Sequence, residues 1–208
     1  MENRGKAPWR GGRLPQSEVE KRLERLLEIA REEFAARGFE GTNLDRLVER
    51  SGVSKTTILR RFGSKEGLFR TLIDQTMVAI HARLHAVAFD MASPHRTIVQ
   101  FIDSYTEVAI GNPLGHMLLG IAILERGTFP NLGAMILRHA EEGLRPISDF
   151  IARLMEAGVL QPADPMEVAL DLQGLMTQGF RVFVEDPGFL ARPNRSHDIA
   201  TRFLKGWG

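Results

Sequence analysis

The chain has 208 residues, no cysteine and a net charge of +1, with 43% hydrophobic and 25% charged residues. This composition is ordinary for a globular protein with a buried core, and the lack of cysteine excludes disulfides, thiol catalysis and cysteine-type zinc sites. No apolar run reaches the ~18 residues of a membrane span, and the N-terminus lacks the apolar centre of a signal peptide. We therefore expect a cytoplasmic protein without a membrane partner.

The charges are unevenly distributed along the chain. Residues 1–70 contain 16 Lys and Arg against 11 Asp and Glu, a balance of +5, whereas residues 71–208 contain 11 against 15, a balance of −4. Several of the cations lie among Gly and Pro in residues 1–15, which we expect to form a flexible basic arm. A basic head on an acidic body is typical of nucleic-acid binding, and chance plus a basic tail is the alternative.

The first two helix signals lie before residue 53. Ser17 and Glu20 have the spacing of a capping box, and apolar residues follow at helical spacing until Gly38. The second signal begins at Thr42, whose hydroxyl is a candidate N-cap, and it stops at Gly52. Glycine enters the left-handed conformation of a sharp turn at low cost, so a second helix can follow at once.

The third helix signal completes the pattern of a DNA-reading helix-turn-helix. Ser54 offers an N-cap, and Ile58 and Phe62 recur on one face. The opposite face carries cations suited to phosphate or guanine and hydroxyls suited to phosphate or base edges. We expect the DNA contacts to come from Thr42, Ser54, Lys55, Thr56, Thr57, Arg60, Arg61 and Lys65. The alternative is a basic, solvated face on an ordinary helical hairpin.

Three segments at fixed spacing extend this pattern: REEFAARGFEGT at 31–42, SGVSK at 51–55 and FGSKEGLF at 62–69. With them, the chain from residue 23 to residue 72 resembles the TetR family of bacterial transcriptional regulators. Several linked motifs in order are far more specific than any single one. The resemblance implies that residues 16–63 form the DNA-binding domain of that family.

Three positions depart from the family pattern. Leu59 stands where the family usually has a Tyr that reaches a phosphate, and Thr56 stands where Gly often follows the Lys. Asp45 occupies a position where an Arg or a polar contact residue is common. Since Leu59 has no hydroxyl, it cannot make the usual phosphate contact.

Residues 64–208 show helical patterns only, so we expect an all-α protein of about nine helices. Ser64 is a candidate cap for a long fourth helix. Later helices are predicted to start at Ser93-Pro94, at Asn112-Pro113, near Pro130, at Asp164-Pro165 and at Ser196. The helix from Pro130 should run to about Ala157 with a kink at Pro146 inside it. The helix from Asp164 should run to about Val184, and the last helix to Trp207.

The body is rich in Met and aromatic residues at helical spacing. Most of these belong to a core, but methionine repacks readily, so we expect a subset to border an apolar pocket. The expected lining is Phe101, Tyr105, His116, Met117, Ile121, Phe150, Leu154, Met176 and Phe180. The motifs GxSxG, GxGxxG and the Walker loop are absent from the sequence, so we expect no enzyme and no cofactor. His81 and His85 are four residues apart, but the sequence places no third ligand, so no metal is expected.

The resemblance implies more about the body than its spacing does. In TetR-like regulators the C-terminal domain binds a small molecule, and its last two helices form a four-helix bundle with a second subunit. Effector binding then changes the separation of the recognition helices. By this resemblance we expect residues 64–208 to be an effector-binding and dimerisation domain. The protein would be a homodimeric repressor, released from a palindromic double-stranded operator by a small lipophilic effector.

The sequence offers one broad apolar stripe for that dimer. The expected interface is Leu172, Leu175, Met176, Gly179, Val182, Phe183 and Phe203. Burial of these residues inside one protomer is the alternative. For the protein as a whole, the alternative is a helical enzyme or carrier with an apolar pocket and an incidental basic head.

Overall fold

The computed structural model describes residues 16–112, 115, 130–178 and 187–208. Over these residues the regular structure is helical and no strand occurs, which confirms the predicted all-α class. The chain forms two compact units, Met1–Leu68 and Phe69–Gly208, which we call the head and the body. The predicted basic arm 1–15 lies outside the described residues, as does most of the helix predicted from Asn112.

The described part of the head consists of three helices and the start of a fourth. They are α1 (Gln16–Gly41), α2 (Leu44–Ser51), α3 (Lys55–Phe62) and the beginning of α4 (Lys65–His85). Gly38 interrupts α1 with φ 67° and ψ −175°, at the position where the sequence predicts the helix end. Ser17 is not the cap of α1, because Gln16 before it is already helical.

The apolar faces of these helices meet in a core of their own. A side chain on one face of an amphipathic helix recurs every three or four residues, and burying that face is the main stabilising contribution to such a small unit. The buried apolar residues of the head are Leu23, Leu26, Ile29, Ala30, Phe34, Leu47, Val53, Ile58 and Leu68. This core fixes which sides of α2 and α3 remain outside.

The body contains the rest of α4 and four further helices. They are α5 (Pro94–Tyr105), followed by a π-helical turn at Thr106–Ile110, α6 (Pro130–Glu156), α7 (Pro165–Thr177) and α8 (Arg195–Trp207). A 3-10 turn occupies Pro187–Ala191. The predicted starts of α5 and α7 and the predicted final helix are confirmed. Pro146 lies inside α6, and the kink predicted at this residue stays a prediction.

The predicted end of α7 is wrong. The sequence pattern extends to Val184, but α7 ends at Thr177. Gln178 has φ 50° and ψ 37°, a left-handed conformation that stops the helix, and its N–H donates to the carbonyl oxygen of Gly174. Periodicity alone does not detect this stop, because the residue that adopts it is not a glycine.

One continuous apolar cluster fills the body, with side chains from every body helix. α6 packs against α7, and α8 packs against α5. Arg195 is buried at the start of α8, where its guanidinium donates to the carbonyl oxygen of Met176. Burial lowers the pKa of Arg195, as do the charges of Arg192 and Arg202, while Asp103 opposes this shift. In the part of the chain that is described, no helix is long and apolar enough to cross a membrane.

Candidate nucleic-acid interface

The turn between α2 and α3 is held by local hydrogen bonds. Gly52 has φ 70° and ψ 10°, and its N–H donates to the carbonyl oxygen of Val48 at 2.9 Å. The Ser51 hydroxyl donates to the carbonyl oxygen of Leu47 at 2.6 Å and accepts from the N–H of Val53 at 3.2 Å. Since each group is one turn or less from its partner, the sequence of this segment is enough to fix the turn.

Ser54 is the N-cap of α3, as predicted. Its hydroxyl oxygen accepts from the N–H of Thr57 at 3.2 Å, and the two hydroxyls lie 2.9 Å apart. A cap of this kind stabilises a helix by about 1 kcal/mol. Thr57 is half-buried, and Ile58 beside it is fully buried. The opposite side of α3 therefore faces outward.

The predicted cap of α2 is wrong by one residue. Asn43 caps the helix, because its side-chain oxygen accepts from the N–H of Asp45 at 2.8 Å. Thr42 is only 2% exposed, and its hydroxyl donates to the carbonyl oxygen of Gly38 at 2.8 Å. The expected contact between the Thr42 side chain and DNA does not fit this placement, because the hydroxyl is turned into the head.

The outward face of α3 carries two basic and two neutral side chains. Lys55, Thr56, Leu59 and Arg60 are exposed and share one side, because residues four apart on a helix lie one above the other. Arg61 is exposed at the edge of this face. Leu59 is 39% exposed, a large apolar side chain in the middle of a polar surface. The DNA contacts expected from the sequence did not include Leu59, although Leu59 follows Lys55 by four residues and therefore lies on the same face of α3.

The cations of this face differ in their pairing. Lys55 forms an ion pair with Asp45 of α2, with 2.9 Å between Nζ and Oδ1. Within the described ranges, Arg60 and Arg61 have no carboxylate within ion-pair distance. The uncompensated positive charge of α3 is therefore concentrated in its last turn.

Three other arginines of the head are held by a buried carboxylate. Glu33 of α1 lies 2.8 Å from Arg50, 3.1 Å from Arg37 and 3.3 Å from Arg46, and Glu32 lies 2.6 Å from Arg50. Burial raises the pKa of Glu33, but the hydrogen bond from Arg50 and the three positive charges outweigh it and lower the pKa below its ordinary value. Glu33 is thus ionised and ties α1 to α2.

Lys65 was expected to face DNA, but most of the N–H donors of its ammonium group form hydrogen bonds within the head. Its Nζ donates to the carbonyl oxygens of Phe39 at 2.9 Å and Thr42 at 3.2 Å, and it lies 4.3 Å from the centre of the Phe39 ring. An ammonium group has three donors, so one remains. The predicted cap before it is confirmed, since the Ser64 hydroxyl accepts from the N–H of Gly67.

The body contains a small cavity of about 50 Å³, bordered by α4, the end of α5, the π-helical turn, α6 and α7. Most of its lining is apolar, and its polar groups are His81, Tyr105, His139 and Gln173. The Gln173 amide donates to the Tyr105 hydroxyl oxygen. Burial raises the pKa of Tyr105, and the hydrogen bond from Gln173 offsets part of this rise. The hydroxyl is therefore neutral over the ordinary pH range.

This cavity differs from the predicted pocket. Tyr105 lines it, whereas Phe101, Phe150, Leu154 and Met176 are fully buried in the body core and do not. The difference has a simple cause, because an apolar stripe shows that a side chain is covered but not whether a ligand or a neighbouring helix covers it. The remaining predicted members, His116, Met117, Ile121 and Phe180, lie outside the described residues.

Among the four described members of the predicted dimer stripe, three are internal. Leu172, Met176 and Phe203 pack in the core of their own protomer, so the alternative interpretation holds for these three. Leu175 is half-buried. The remaining members, Gly179, Val182 and Phe183, lie outside the described residues. The outward side of α7 instead presents Glu167, Leu170, Asp171, Gly174 and Leu175.

Together the observations define a class: a helix-turn-helix head with a capped basic helix, joined to a helical body. The model of the bacterial regulatory proteins of the tetR family matches residues 26–72. The HTH-type transcriptional regulator RutR of Escherichia coli strain K12 is 32% identical over 148 residues. This match covers 69% of the chain and 66% of RutR, slightly less than two thirds of that protein. The chain belongs to the TetR family of bacterial transcriptional regulators.

Solved structures share the fold. A TetR-family transcriptional regulator from Mesorhizobium loti has a TM-score of 0.72 at 21% identity, with 91% of this chain and 98% of that chain covered. A TetR regulator from Chloroflexus aurantiacus has a TM-score of 0.69 at 21% identity, covering 91% and 96%. The flavonoid-responsive regulator FrrA has a TM-score of 0.68 at 24% identity, covering 90% and 95%. The fold is thus that of TetR-family regulators.

Proposed function

We propose that the protein is a homodimeric transcriptional repressor that leaves a palindromic DNA operator when a small effector occupies the body. Residues 16–63 would bind DNA, and residues 64–208 would bind the effector and the second subunit. The observation that carries the proposal is that Arg60 and Arg61, on the exposed side of a capped helix-turn-helix, have no ion-pair partner among the described residues. Family membership supports the same role.

The outward face of α3 suits a major groove. Arg60 and Arg61 offer fork-shaped donors for phosphate or for the O6 and N7 acceptors of guanine, and Thr56 offers a hydroxyl. Ser54 and Lys55 lie at the start of the helix, where N–H groups and positive charge favour phosphate. The spare donor of Lys65 can add a phosphate contact. Because Thr42 is buried, its side chain is left out of this proposed contact set.

The DNA proposal is tested by removing the cations of Arg60 and Arg61. An operator is first selected from a random duplex pool, and affinity is then measured by fluorescence anisotropy over a range of salt concentrations. We expect Arg60→Ala and Arg61→Ala each to cost about 1–3 kcal/mol, or about 5- to 160-fold in affinity, if the side chain reads a base. A phosphate role would instead weaken binding to all duplexes and flatten the salt dependence.

A matched control is Arg96→Ala, which removes the same charge from an exposed position on α5 of the body. It should leave operator affinity within error of the wild type. The proposal fails if the double variant of Arg60 and Arg61 binds the selected operator as tightly as the wild type. It also fails if the wild-type protein selects no duplex at low salt.

Leu59 is proposed to contact a thymine methyl group. It is an exposed apolar side chain among the proposed base-reading groups, and such side chains favour the methyl group in the major groove. Replacing each operator thymine in turn by uracil removes one methyl, which is worth about 0.8 kcal/mol, or about fourfold in affinity. We expect one position per half-site to respond in the wild type and to lose its response in Leu59→Ala. Equal responses in both proteins would contradict this contact.

The effector is proposed to be small and mostly apolar, with one or two hydrogen-bonding groups. The cavity offers Tyr105 and Gln173 as partners amid apolar lining. Its volume of about 50 Å³ is far below the roughly 300–1,000 Å³ of typical ligand sites. An effector must therefore displace lining side chains such as Met77, and this links effector binding to the packing of α4 against α6.

The dimer is proposed to use the outward side of α7. Gly174 is exposed with open space around it, and Leu170 and Leu175 flank it half-buried. A second helix can approach closely at such a glycine, and two half-sites about 34–36 Å apart require a two-fold axis. Leu175→Asp should give monomers in sedimentation, whereas Glu167→Ala at the end of the same side should not. A Leu175→Asp protein that stays dimeric would place the interface elsewhere.

The alternative of a helical enzyme or carrier is not favoured, because the curated relative is named a transcriptional regulator. No enzymatic step is proposed. A regulator of this kind works where the chromosome lies, which in bacteria is the cytoplasm.

A further inference from the structure

Two histidines and a glutamate cluster at the edge of the body cavity. His81 lies on α4, and His139 and Glu142 lie one turn apart on α6. One ligand atom of each residue lies within 4.8 Å of those of the other two. The imidazoles of His81 and His139 are 13% and 19% exposed, while Glu142 reaches solvent. No step of the proposed DNA recognition uses this cluster.

In each of the two imidazoles, Nε2 lies within hydrogen-bond distance of an oxygen atom. His81 Nε2 lies 2.9 Å from the backbone carbonyl oxygen of His139, and because a carbonyl oxygen only accepts, this nitrogen carries the hydrogen. The nitrogen of His81 that can offer a lone pair is therefore Nδ1, which lies 3.9 Å from a carboxylate oxygen of Glu142. His81 can thus donate an electron pair toward the cluster.

His139 follows the same scheme. Its Nε2 lies 3.4 Å from a carboxylate oxygen of Asp74 on α4, which accepts the hydrogen. Its Nδ1 is buried and has no hydrogen-bond partner in the described ranges. Buried polar atoms are nearly always partnered, so this nitrogen requires an explanation. A bound cation would supply one.

The backbone of α6 makes room for this arrangement. A Cβ placed on Gly143 would lie 3.3 Å from Cδ2 of His81 and 3.4 Å from a methyl carbon of Leu84. The missing side chain therefore lets the His81 ring lie against α6. Since His139, Glu142 and Gly143 are three and four residues apart, they share the side of α6 that faces α4.

We propose that His81 Nδ1, His139 Nδ1 and the Glu142 carboxylate bind a divalent transition-metal ion of the Zn²⁺ class. Two imidazoles and one carboxylate are a known zinc donor set that leaves a fourth position for water or a ligand. Metal-binding histidines usually donate their other N–H to a carbonyl or a carboxylate, which here are the backbone of His139 and the side chain of Asp74. The exposed Glu142 side chain can rotate to close the site.

The test is a titration of the full-length protein with Zn²⁺ by calorimetry and with Co²⁺ by visible absorption, without DNA. We expect one ion per chain and an absorption band of four-coordinate Co²⁺. His139→Ala and His81→Ala should each reduce Zn²⁺ affinity at least 100-fold. Asp74→Asn, which acts only through His139, should reduce it about 10- to 100-fold.

Matched controls separate this site from other histidines. His197→Ala disrupts the His95–His197 pair, whose rings lie 4.3 Å apart. It should leave the stoichiometry and the affinity unchanged. Glu142→Gln keeps the shape of an exposed side chain, so its loss of affinity cannot come from misfolding.

Three results would overturn the proposal. The first is Zn²⁺ binding that survives both His81→Ala and His139→Ala, and the second is binding that is lost in His197→Ala. The third is an absence of Zn²⁺ binding with both histidines titrating as cations beside Asp74 and Glu142, which would make the cluster an ion-pair network. Because the titration contains no DNA, its outcome is independent of the operator experiment.

Discussion

The recognition helix α3 of the head and the interior of the body use polar side chains in opposite ways. On α3, polar groups cap the helix or face outward, as Ser54 and Arg60 do. In the body, Tyr105, His139 and Arg195 bring polar atoms into an apolar interior. The outward groups are available to a large partner, and the inward ones to a small ligand or ion. The two units therefore suit two different kinds of recognition.

The range of the contacts differs as well. The hydrogen bonds that shape the turn before α3 join residues two to four positions apart. In the body, Tyr105 and Gln173 are 68 positions apart, and His81 and the carbonyl of His139 are 58 apart. The head surface therefore depends mainly on local sequence, whereas the body sites depend on how distant helices pack.

The largest effect is expected in the body core. Phe150→Ala removes a fully buried ring whose centre lies 5.4 Å from that of the tilted Phe89 ring, and it should lower the free energy of unfolding by about 3–5 kcal/mol. Leu137→Ala on the same helix removes an exposed side chain and should change stability by less than about 0.5 kcal/mol. Urea unfolding followed by circular dichroism at fixed protein concentration measures both. Similar losses of stability in the two variants would mean that both sides of α6 are buried.

A smaller effect is expected at the buried carboxylate of the head. Glu33→Gln removes the charge that holds Arg37, Arg46 and Arg50, and it should cost about 1.5–3 kcal/mol near neutral pH. The pKa of Glu33 is lowered from 4.5, so its contribution is complete above that value and is lost as the pH falls through the lower folded-state pKa.

Hydrogen exchange of the α1 and α2 amides measures this contribution in the head alone. The protection lost in Glu33→Gln should shrink as the pH is lowered below about 4.5. Glu32→Gln is the control, because Glu32 is exposed and pairs with Arg50 rather than with all three arginines. A difference between wild type and Glu33→Gln that does not change with pH would contradict the ion-pair explanation.

The smallest effect on stability is expected at the interface itself. Asp45→Asn frees Lys55 from an exposed ion pair worth at most about 1 kcal/mol. DNA affinity should rise, and the slope of log affinity against log salt should steepen by about 0.9, because one more cation displaces a counterion. Glu49→Gln makes the same charge change one turn along α2. Equal gains in both variants would show that net charge, not Lys55, is responsible.

Sequence reasoning worked where one short segment decides the structure. The helix-turn-helix, the Ser54 and Ser64 caps and the start of α7 at Asp164 were predicted, because each depends on residues within one turn. It assigned the N-cap of α2 to Thr42 instead of the adjacent Asn43, because both side chains can cap a helix. Only the break at Gly38 turns the Thr42 hydroxyl inward and leaves the cap to Asn43.

The body sites were harder to predict. Leu172, Met176 and Phe203 form the apolar stripes that the sequence indicates, but the pattern does not say which neighbour covers them. The histidine cluster shows the same limit. His81 was recognised as a possible ligand and paired with His85, whereas its partner in space is His139 on another helix.

The shortness of α3 has a consequence for how tightly recognition is tied to folding. At eight residues, α3 is well below the roughly 12–15 residues at which an isolated helix becomes even marginally stable in water. Its shape is supplied by Ser54 at one end and by Ile58 in the head core. A peptide of residues 54–63 should therefore be a coil with little operator affinity. Whenever the head unfolds locally, α3 would lose its helical shape and its contacts with DNA. A complex therefore cannot last longer than the folded state of the head.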